Sequence, residues 1–360
     1  MDKLSKLRHE LIKRDLDALL IFNREGSNRA SCWYISGFSG SFAVLLITND
    51  CEYIVTDSRY FTQASMQTAF KLIPYNGGGL EGLKNILSQL ISENAIKRLG
   101  FEAERITHFH FKKLLSELSV ELVESDEIIK SMRMTKTEGE IEKIKKAIEV
   151  AEASLIETLN MVKPGVTERE VAARLEYEMK KRGGNPSFET IVVSGDRSAI
   201  VHGTPSEKKI SLGEFLLIDF GAIVDGYCSD ITRTYAIGEP SDEMVKVYNI
   251  VYEAQRKGRE TARAGITGAE LHNVAKDIIA NAGYGEYFGH GLGHGLGMEV
   301  HEDPTASPLN IEPLPKNSVV TIEPGIYLPG KFGVRIEDDV FLTEDGCKIL
   351  TTLDRELKIL

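Results

Sequence analysis

Four carboxylates in this chain sit where apolar strands would carry them out of water. Phe215-Leu216-Leu217-Ile218-Asp219-Phe220-Gly221 and Val319-Val320-Thr321-Ile322-Glu323-Pro324-Gly325 are each an apolar run ending in an acid, with Gly two residues on. Each returns as a second strand bearing another acid, Asp230 in one and Glu337 in the other. An unpaired carboxylate removed from water needs a counter-charge. A divalent metal supplies one; Arg233 and Arg335, near in sequence, are the alternative. Of eight histidines, three (His290, His294 and His301) fall within the Gly-rich stretch Gly289–His301, where missing side chains let a ligand approach closely. Three imidazoles beside four strand acids favour the metal. Oxygen and nitrogen donors without a thiolate suit Mn, Co, Fe or Zn. Four carboxylates and an imidazole are too many for one open zinc, and suit two ions roughly 3.5–4 Å apart.

Five ordered segments carry a resemblance: Ile218-Asp219-Phe220-Gly221; Gly226-Tyr227-Cys228-Ser229-Asp230-Ile231-Thr232-Arg233-Thr234; His290–His301; Thr321-Ile322-Glu323-Pro324-Gly325; and Arg335-Ile336-Glu337-Asp338-Asp339. Together they resemble the motif blocks of the aminopeptidase P and prolidase family, metallopeptidases of the pita-bread fold that cut bonds to proline nitrogen. Trp33–Ser41 and Thr56–Phe61 are similar to the family's creatinase-like N-terminal domain. The resemblance implies Asp219, Asp230, His294, Glu323 and Glu337 as metal ligands, with Asp230 and Glu337 bridging two ions, Mn or Co first and Zn or Fe as alternatives. It implies a catalytic set of His202, His290, His301 and Glu323. Glu323 would accept or relay a proton, His202 and His301 would hydrogen-bond the scissile carbonyl, and His290 would line the pocket. Arg335 would either hold a ligand carboxylate or meet the substrate's carboxylate end, and Arg233 would neutralise ligand carboxylates. Tyr327 reads as packing or as support behind the ligands rather than as an acid or base, and Asp338 and Asp339 as charges on the solvent side of their strand. The expected activity is that of an Xaa-Pro aminopeptidase, with an Xaa-Pro dipeptidase as the alternative and a non-catalytic peptide-binding module as the competitor from another class. The partner is a peptide with proline at its second position, and the family resemblance implies a homodimer.

The elements that must position these residues are legible from pattern. Leu4–Lys13, Leu80–Ile91 and His108–Leu118 read as helices, and Ala18–Phe22 and Phe42–Thr48 as strands, giving a small α/β domain. Thr137 and Glu140 form a capping box that opens a long helix to about Met161. The expected division is residues 1–131, a creatinase-like α/β domain, and residues 132–360, an α+β pita-bread catalytic domain. The second part repeats itself. Gly165-Val166-Thr167-x-x-Glu170 recurs as Gly265-Ile266-Thr267-x-x-Glu270, and the strand acids recur at an offset of 104. Two echoes in one order indicate a duplicated helix-plus-hairpin unit about a pseudo-two-fold axis.

The composition excludes other classes. A net charge of −11 argues against a general nucleic-acid binder. The longest apolar runs are a few residues, far short of the ~20 that cross a bilayer. Met1–Arg14 carries mixed charge at helical spacing and does not read as a signal peptide. Four scattered cysteines, Cys32, Cys51, Cys228 and Cys347, read as free thiols of a reducing, cytoplasmic compartment. With only four glutamines the composition leans toward a heat-adapted source.

Overall fold

The computed structural model describes residues 2–360, which divide into two compact units, one ending at Met132 and the other spanning Arg133–Leu360. The first unit runs α1 (Lys3–Lys13), β1 (Ala18–Arg24), α2 (Arg29–Ser36), β2 (Phe42–Thr48), β3 (Glu52–Thr56), α3 (Phe61–Gln67), β4 (Lys71–Pro74), α4 (Gly79–Glu93), β5 (Arg98–Phe101), α5 (His108–Lys113) and β6 (Glu121–Glu124). Its strands form one mixed sheet in the order β4-β3-β2-β1-β5-β6. All seven residues of β2 are buried, which is why that stretch reads as an unbroken apolar run rather than an alternating one. Helix α4 buries Leu83, Leu87, Leu90 and Ile91, one face of a 3.6-residue period. The helix expected over His108–Leu118 is broken: α5 stops at Lys113, and a 3₁₀ turn follows over Leu115–Glu117. Leu114 and Leu115 are both fully buried. Adjacent residues of one α-helix point about 100° apart, so the break lets both reach the core.

The chain leaves the first unit through α6 (Asp126–Met134). The second unit begins with α7 (Glu138–Leu159) and α8 (Glu168–Lys181), followed by β7 (Asn185–Pro186), β8 (Ile191–Ser194), β9 (Glu214–Phe220), β10 (Ala222–Val224), β11 (Tyr227–Cys228) and β12 (Ile231–Ile237). It then repeats with α9 (Asp242–Thr261), α10 (Gly268–Asn281), β13 (Gly293–Gly295), β14 (Glu302–Ala306), β15 (Val319–Ile322), β16 (Gly325–Leu328), β17 (Phe332–Arg335), β18 (Asp338–Leu342) and β19 (Cys347–Ile349).

The duplication is written into hydrogen bonds. Thr167/Glu170 and Thr267/Glu270 both close reciprocal capping boxes, and Gly183 and Gly283 follow the ends of their helices at φ +84° and +88°. Gly165 N donates to Ile210 O at 2.8 Å, and Gly265 N to Leu314 O at 2.9 Å. Each half then folds one long hairpin. In the first, β9 pairs with β12 and β10 with β11 in a single register; in the second, β15 pairs with β18 and β16 with β17, again in one register. The first hairpin turns through Asp225-Gly226, both at positive φ as a two-residue turn requires. The second turns through Pro329-Gly330-Lys331, one residue more. The outgoing arms therefore match at an offset of 104 and the returning arms at 105. This corrects the expected pairing of acids. The equivalent of Asp230 is Arg335, and the equivalent of Glu337 is Thr232.

Replacing the cap hydroxyl in each half should cost the same. Thr167→Ala and Thr267→Ala are each expected to lower stability by about 1 kcal/mol. Urea unfolding checks this; a large loss for one and none for the other would mean that the two caps are not equivalent.

Candidate metal and catalytic site

The two hairpins meet edge to edge. Glu337 N donates to Thr232 O at 3.1 Å, and Thr234 Oγ1 donates to Arg335 O at 2.9 Å. Close approach depends on glycine: a Cβ on Gly221 would lie 1.9 Å from Ser229 O, and one on Gly293 1.9 Å from Thr321 O. Beside this seam opens a cavity of about 530 Å³, lined by His202, Asp219, Asp230, His290, His294, His301, Glu323, Arg335 and Glu337 among others. All nine residues expected at the site face this one space, inside the second unit.

The inner wall is acidic and short of counter-charge. Burial, reinforced by the Glu337, Asp219 and Glu323 carboxylates, pushes Asp230 well above the ordinary carboxylate range. Burial with Glu323 and Asp219 does the same to Glu337. Burial opposes ionisation of Glu323 too, but its hydrogen bond to His294 and that residue's charge hold it at about 2. His294 Nε2 lies 3.3 Å from Glu323 Oε1 and 3.6 Å from Asp230 Oδ2. Despite burial, the Glu323 hydrogen bond raises the His294 pKa, so a positive charge is favoured at that point. Its Nδ1 faces Gly295 O at 3.1 Å, and a carbonyl only accepts, which leaves Nε2 to take a cation.

This donor set fits divalent cations. Ligand atoms of Asp230, His294 and Glu337 all lie within 4.8 Å of one another. Asp219 Oδ1 and Glu337 Oε1 are buried without any hydrogen-bond partner, which leaves a lone-pair oxygen on each. Their other oxygens are fixed: Asp219 Oδ2 accepts from Arg335 Nη2 at 2.5 Å and Glu337 Oε2 from Thr232 Oγ1 at 2.6 Å.

Arg335 is consumed by this scaffold. Besides Asp219, its Nε donates to Thr232 Oγ1 at 3.1 Å and its Nη1 to the Tyr327 hydroxyl at 2.9 Å, with the residue 2% exposed. Among these bonds is the one that holds the Asp219 carboxylate. Tyr327 extends the chain of bonds to His290 Nε2 at 2.9 Å, while His290 Nδ1 lies 2.7 Å from Gly291 O. Both His290 nitrogens thus have a partner beside the cavity. Tyr327 supports both neighbours through its hydroxyl. His202 and His301 are exposed and keep their rings toward the cavity, with His301 edge-on to His294 at a centroid distance of 4.2 Å.

Two further expectations are corrected. Asp338 and Asp339 are fully buried, not solvent-facing. Asp338 accepts from Arg233 (2.8 Å), Thr351 (2.6 Å), Gln255 (2.6 Å) and Arg355 (2.6 Å), and Asp339 Oδ2 from Asp230 N at 3.2 Å. Arg233 pairs with Asp338 and with main-chain carbonyls of Thr232, Glu337, Leu353 and Asp354, touching none of the carboxylates that face the cavity. Buried strand acids thus have two fates here, and apolar flanks alone do not tell them apart. The sequence reading also missed Phe188, Glu189, Thr190, Thr305 and Ser307 in the wall. Thr190 Oγ1 is buried without a partner. These residues lie outside the acid and histidine segments and carry no spacing signal.

A duplicated hairpin fold whose cavity gathers His294 with Asp219, Asp230, Glu323 and Glu337 defines a metallohydrolase type of site. Comparison makes the class specific: residues 142–344 match the model of metallopeptidase family M24, and residues 3–135 that of the creatinase/prolidase N-terminal domain. The chain belongs to metallopeptidase family M24, whose members use divalent metal ions. It is 39% identical to a Pyrococcus horikoshii protein named Xaa-Pro dipeptidase, over 99% of this chain and 98% of that one. Among solved structures it resembles an X-Pro aminopeptidase from Thermotoga maritima, with 46% identity, full coverage of both chains and a TM-score of 0.94. An Xaa-Pro dipeptidase from Bacillus anthracis matches at 39% identity over 99% of each chain, with a TM-score of 0.93.

The two kinds of buried acid should respond oppositely to neutralisation. In chelator-treated protein, Asp230→Asn relieves repulsion and is expected to raise stability by roughly 1 kcal/mol. Asp338→Ala strands Arg233 and Arg355 and should cost about 3–5 kcal/mol. Urea midpoints of the two variants compare them; equal losses would contradict the charge assignment.

Proposed function

We propose that the chain is an Xaa-Pro aminopeptidase, removing the residue that precedes a proline at position two. It would work with two divalent ions, Mn or Co, held by Asp219, Asp230, His294, Glu323 and Glu337 and shared through Asp230 and Glu337. The convergence of these five side chains on one cavity carries the metal reading. Metal supplies what a peptide bond at neutral pH lacks, an acidified water and a polarised carbonyl. The chain's own residues do the rest. Glu323, facing the cavity, is the carboxylate placed to take up the proton of the attacking water. His301 and His202, exposed on the cavity wall, donate hydrogen bonds to the carbonyl as charge develops on it. Burial followed by the neighbouring His294 charge lowers the His301 pKa, so its ring is a neutral donor at pH 7. Arg335 and Tyr327 hold Asp219 and His290 in place.

The state of Arg335 favours the aminopeptidase over the dipeptidase. Among the described residues it is the sole Lys or Arg in the cavity wall, and its nitrogens are already bound to Asp219, Thr232 and Tyr327. A dipeptidase recognises the carboxylate directly after the proline ring, and no free cation of this wall is placed to do so. The names of two relatives favour the second reading, an Xaa-Pro dipeptidase. A cytoplasmic homodimer completes the proposal, on the strength of the family resemblance.

Chelation should abolish hydrolysis of Xaa-Pro-Xaa and Mn²⁺ or Co²⁺ should restore it. His294→Ala should lose bound metal, whereas His301→Ala should keep it and lower kcat by roughly 100-fold. Elemental analysis beside kcat checks both, and full activity in metal-free protein would sink the mechanism.

Substrate length separates the two peptidases. Xaa-Pro-Xaa should be cleaved at least as well as Xaa-Pro, and amidating the dipeptide should cost little. A charge-assisted bond to that carboxylate is worth ~1.5–3 kcal/mol, so a dipeptidase would lose at least about tenfold in kcat/KM. Cleavage confined to the free dipeptide would establish the dipeptidase instead.

A further inference from the structure

His202 and His301 reach the cavity from equivalent places. Strand β8 pairs with β9 as β13 pairs with β15, and each histidine lies on the segment that follows its strand. An exposed histidine on a loop has little to hold its ring against a substrate unless the loop itself is fixed. The segment between Ser194 and Ser206 contains only a short 3₁₀ turn, Gly195–Ala199, before His202.

Both ends of that segment are tied to one buried carboxylate. Glu168, the first residue of α8, is 0% exposed. Its Oε1 accepts from Ser194 N at 2.8 Å and Ser194 Oγ at 3.1 Å. Its Oε2 accepts from Ser206 N at 3.1 Å, Ser206 Oγ at 2.7 Å and Arg197 Nε at 3.0 Å. Arg197 in turn reaches across the loop, its Nη2 donating to Thr204 O at 2.7 Å. At Gly203 a Cβ would lie 2.6 Å from Val193 Cγ1, so the residue beside His202 is pressed onto β8. The capping box fixes where α8 starts and therefore where Glu168 points, and the helix N-terminus favours its negative charge. A buried carboxylate that spends all its hydrogen-bonding capacity on one loop is an expensive device if the loop only needs to close.

The geometry points to Glu168 as a positioning residue for hydrolysis, clasping the Ser194–Ser206 loop so that His202 is presented to the substrate carbonyl. It touches neither substrate nor metal and acts through His202 alone. The second half holds His301 differently: Glu302, the next residue, pairs with Arg133 at 2.5 Å and Lys136 at 2.7 Å. The equivalent of Glu168 there, offset by 100, is Gly268, whose Cβ would meet Thr305 O at 2.2 Å. The His301 side therefore has no carboxylate at the place of Glu168.

The inference rests on the Xaa-Pro hydrolase reading, and a double-mutant cycle tests it. In metal-loaded enzyme acting on Xaa-Pro-Xaa, His202→Ala should lower kcat roughly 100-fold and Glu168→Gln roughly tenfold, both with full bound metal. The double variant should be no slower than His202→Ala alone, to within about twofold, because Glu168 has nothing left to position. A further tenfold loss in the double variant would show that Glu168 supports the fold at large, and would overturn the proposal. Ser206→Ala, a milder cut at the same clasp, should show the same non-additivity should Glu168→Gln fold poorly. Trypsin cleavage after Arg197 gives a readout independent of activity, and should quicken at least about tenfold in Glu168→Gln while cleavage elsewhere is unchanged. Unchanged cleavage at Arg197 would mean that the loop is not clasped by Glu168. Wild-type protein inactive on every Xaa-Pro peptide would instead remove the hydrolase reading, and the proteolysis would still decide whether the clasp exists.

Discussion

Mutual repulsion among buried carboxylates is the constraint around which the second unit is organised. Asp219, Asp230, Glu323 and Glu337 face one cavity, in whose wall Arg335 is the one Lys or Arg among the described residues. Left to themselves, these groups would drive their strands apart or take up protons, as the raised Asp230 and Glu337 show. What keeps them together is a rigid frame in which each acid has one oxygen or its main chain pinned: Asp219 by Arg335, Glu337 by Thr232, Asp230 through its N–H to Asp339. The hairpin seam and the glycines at 221 and 293 serve that frame. On the proposed metal reading, bound cations would relieve this repulsion and so add to the stability of the fold.

Duplication explains how a frame of this kind arises from little sequence information. The same hairpin is built twice, and equivalent positions carry different chemistry. Asp219 and Glu323 keep an acid in both halves; Asp230 faces Arg335 as its counterpart, and Thr232 faces Glu337. Arg233 and Asp338 are also equivalents, and they pair with each other at 2.8 Å. An ion pair between equivalent positions is what a pseudo-two-fold seam permits, since each side chain meets its own counterpart near the axis. The imidazole exists once. By strand register the equivalent of His294 is Val193, which packs with Ile191 and Leu217 in a small apolar cluster.

Much of this was legible in the sequence because the signals were local. Capping boxes at Thr137, Thr167 and Thr267 formed as written, and the acids and histidines that the motifs single out face one cavity. What could not be read depends on contacts distant in sequence. Asp338 and Asp339 sit in the same kind of strand as Glu337, yet only the structure shows that one meets Arg233 and Arg355 while the other meets the main chain of Asp230. The one-residue difference between the hairpin tips shifted the equivalence of Asp230 and Glu337, and nothing in an apolar run records that shift. Thr190 was missed because a hydroxyl earns its role from where it is buried.

The cavity thus has two walls with different mechanics. Its inner wall lies on and beside the paired strands of the two hairpins and is fixed by hydrogen bonds between them. Its outer wall includes His202 and His301, exposed on the segments that follow β8 and β13. Groups that bind cations must be rigid, because repulsion would otherwise spread them. Groups that meet a substrate carbonyl must be reachable from solvent and yet hold their aim. The fold reconciles these demands by burying further charges beneath the loops, Glu168 with Arg197 on one side and Glu302 with Arg133 and Lys136 on the other. Buried acids accordingly do two jobs in this protein. Asp219 and Glu337, facing the cavity, each keep an oxygen without a hydrogen-bond partner, the state the proposed cations would complete, whereas Glu168 and Glu302 behind it are bonded to the segments that carry His202 and His301 or to neighbouring cations.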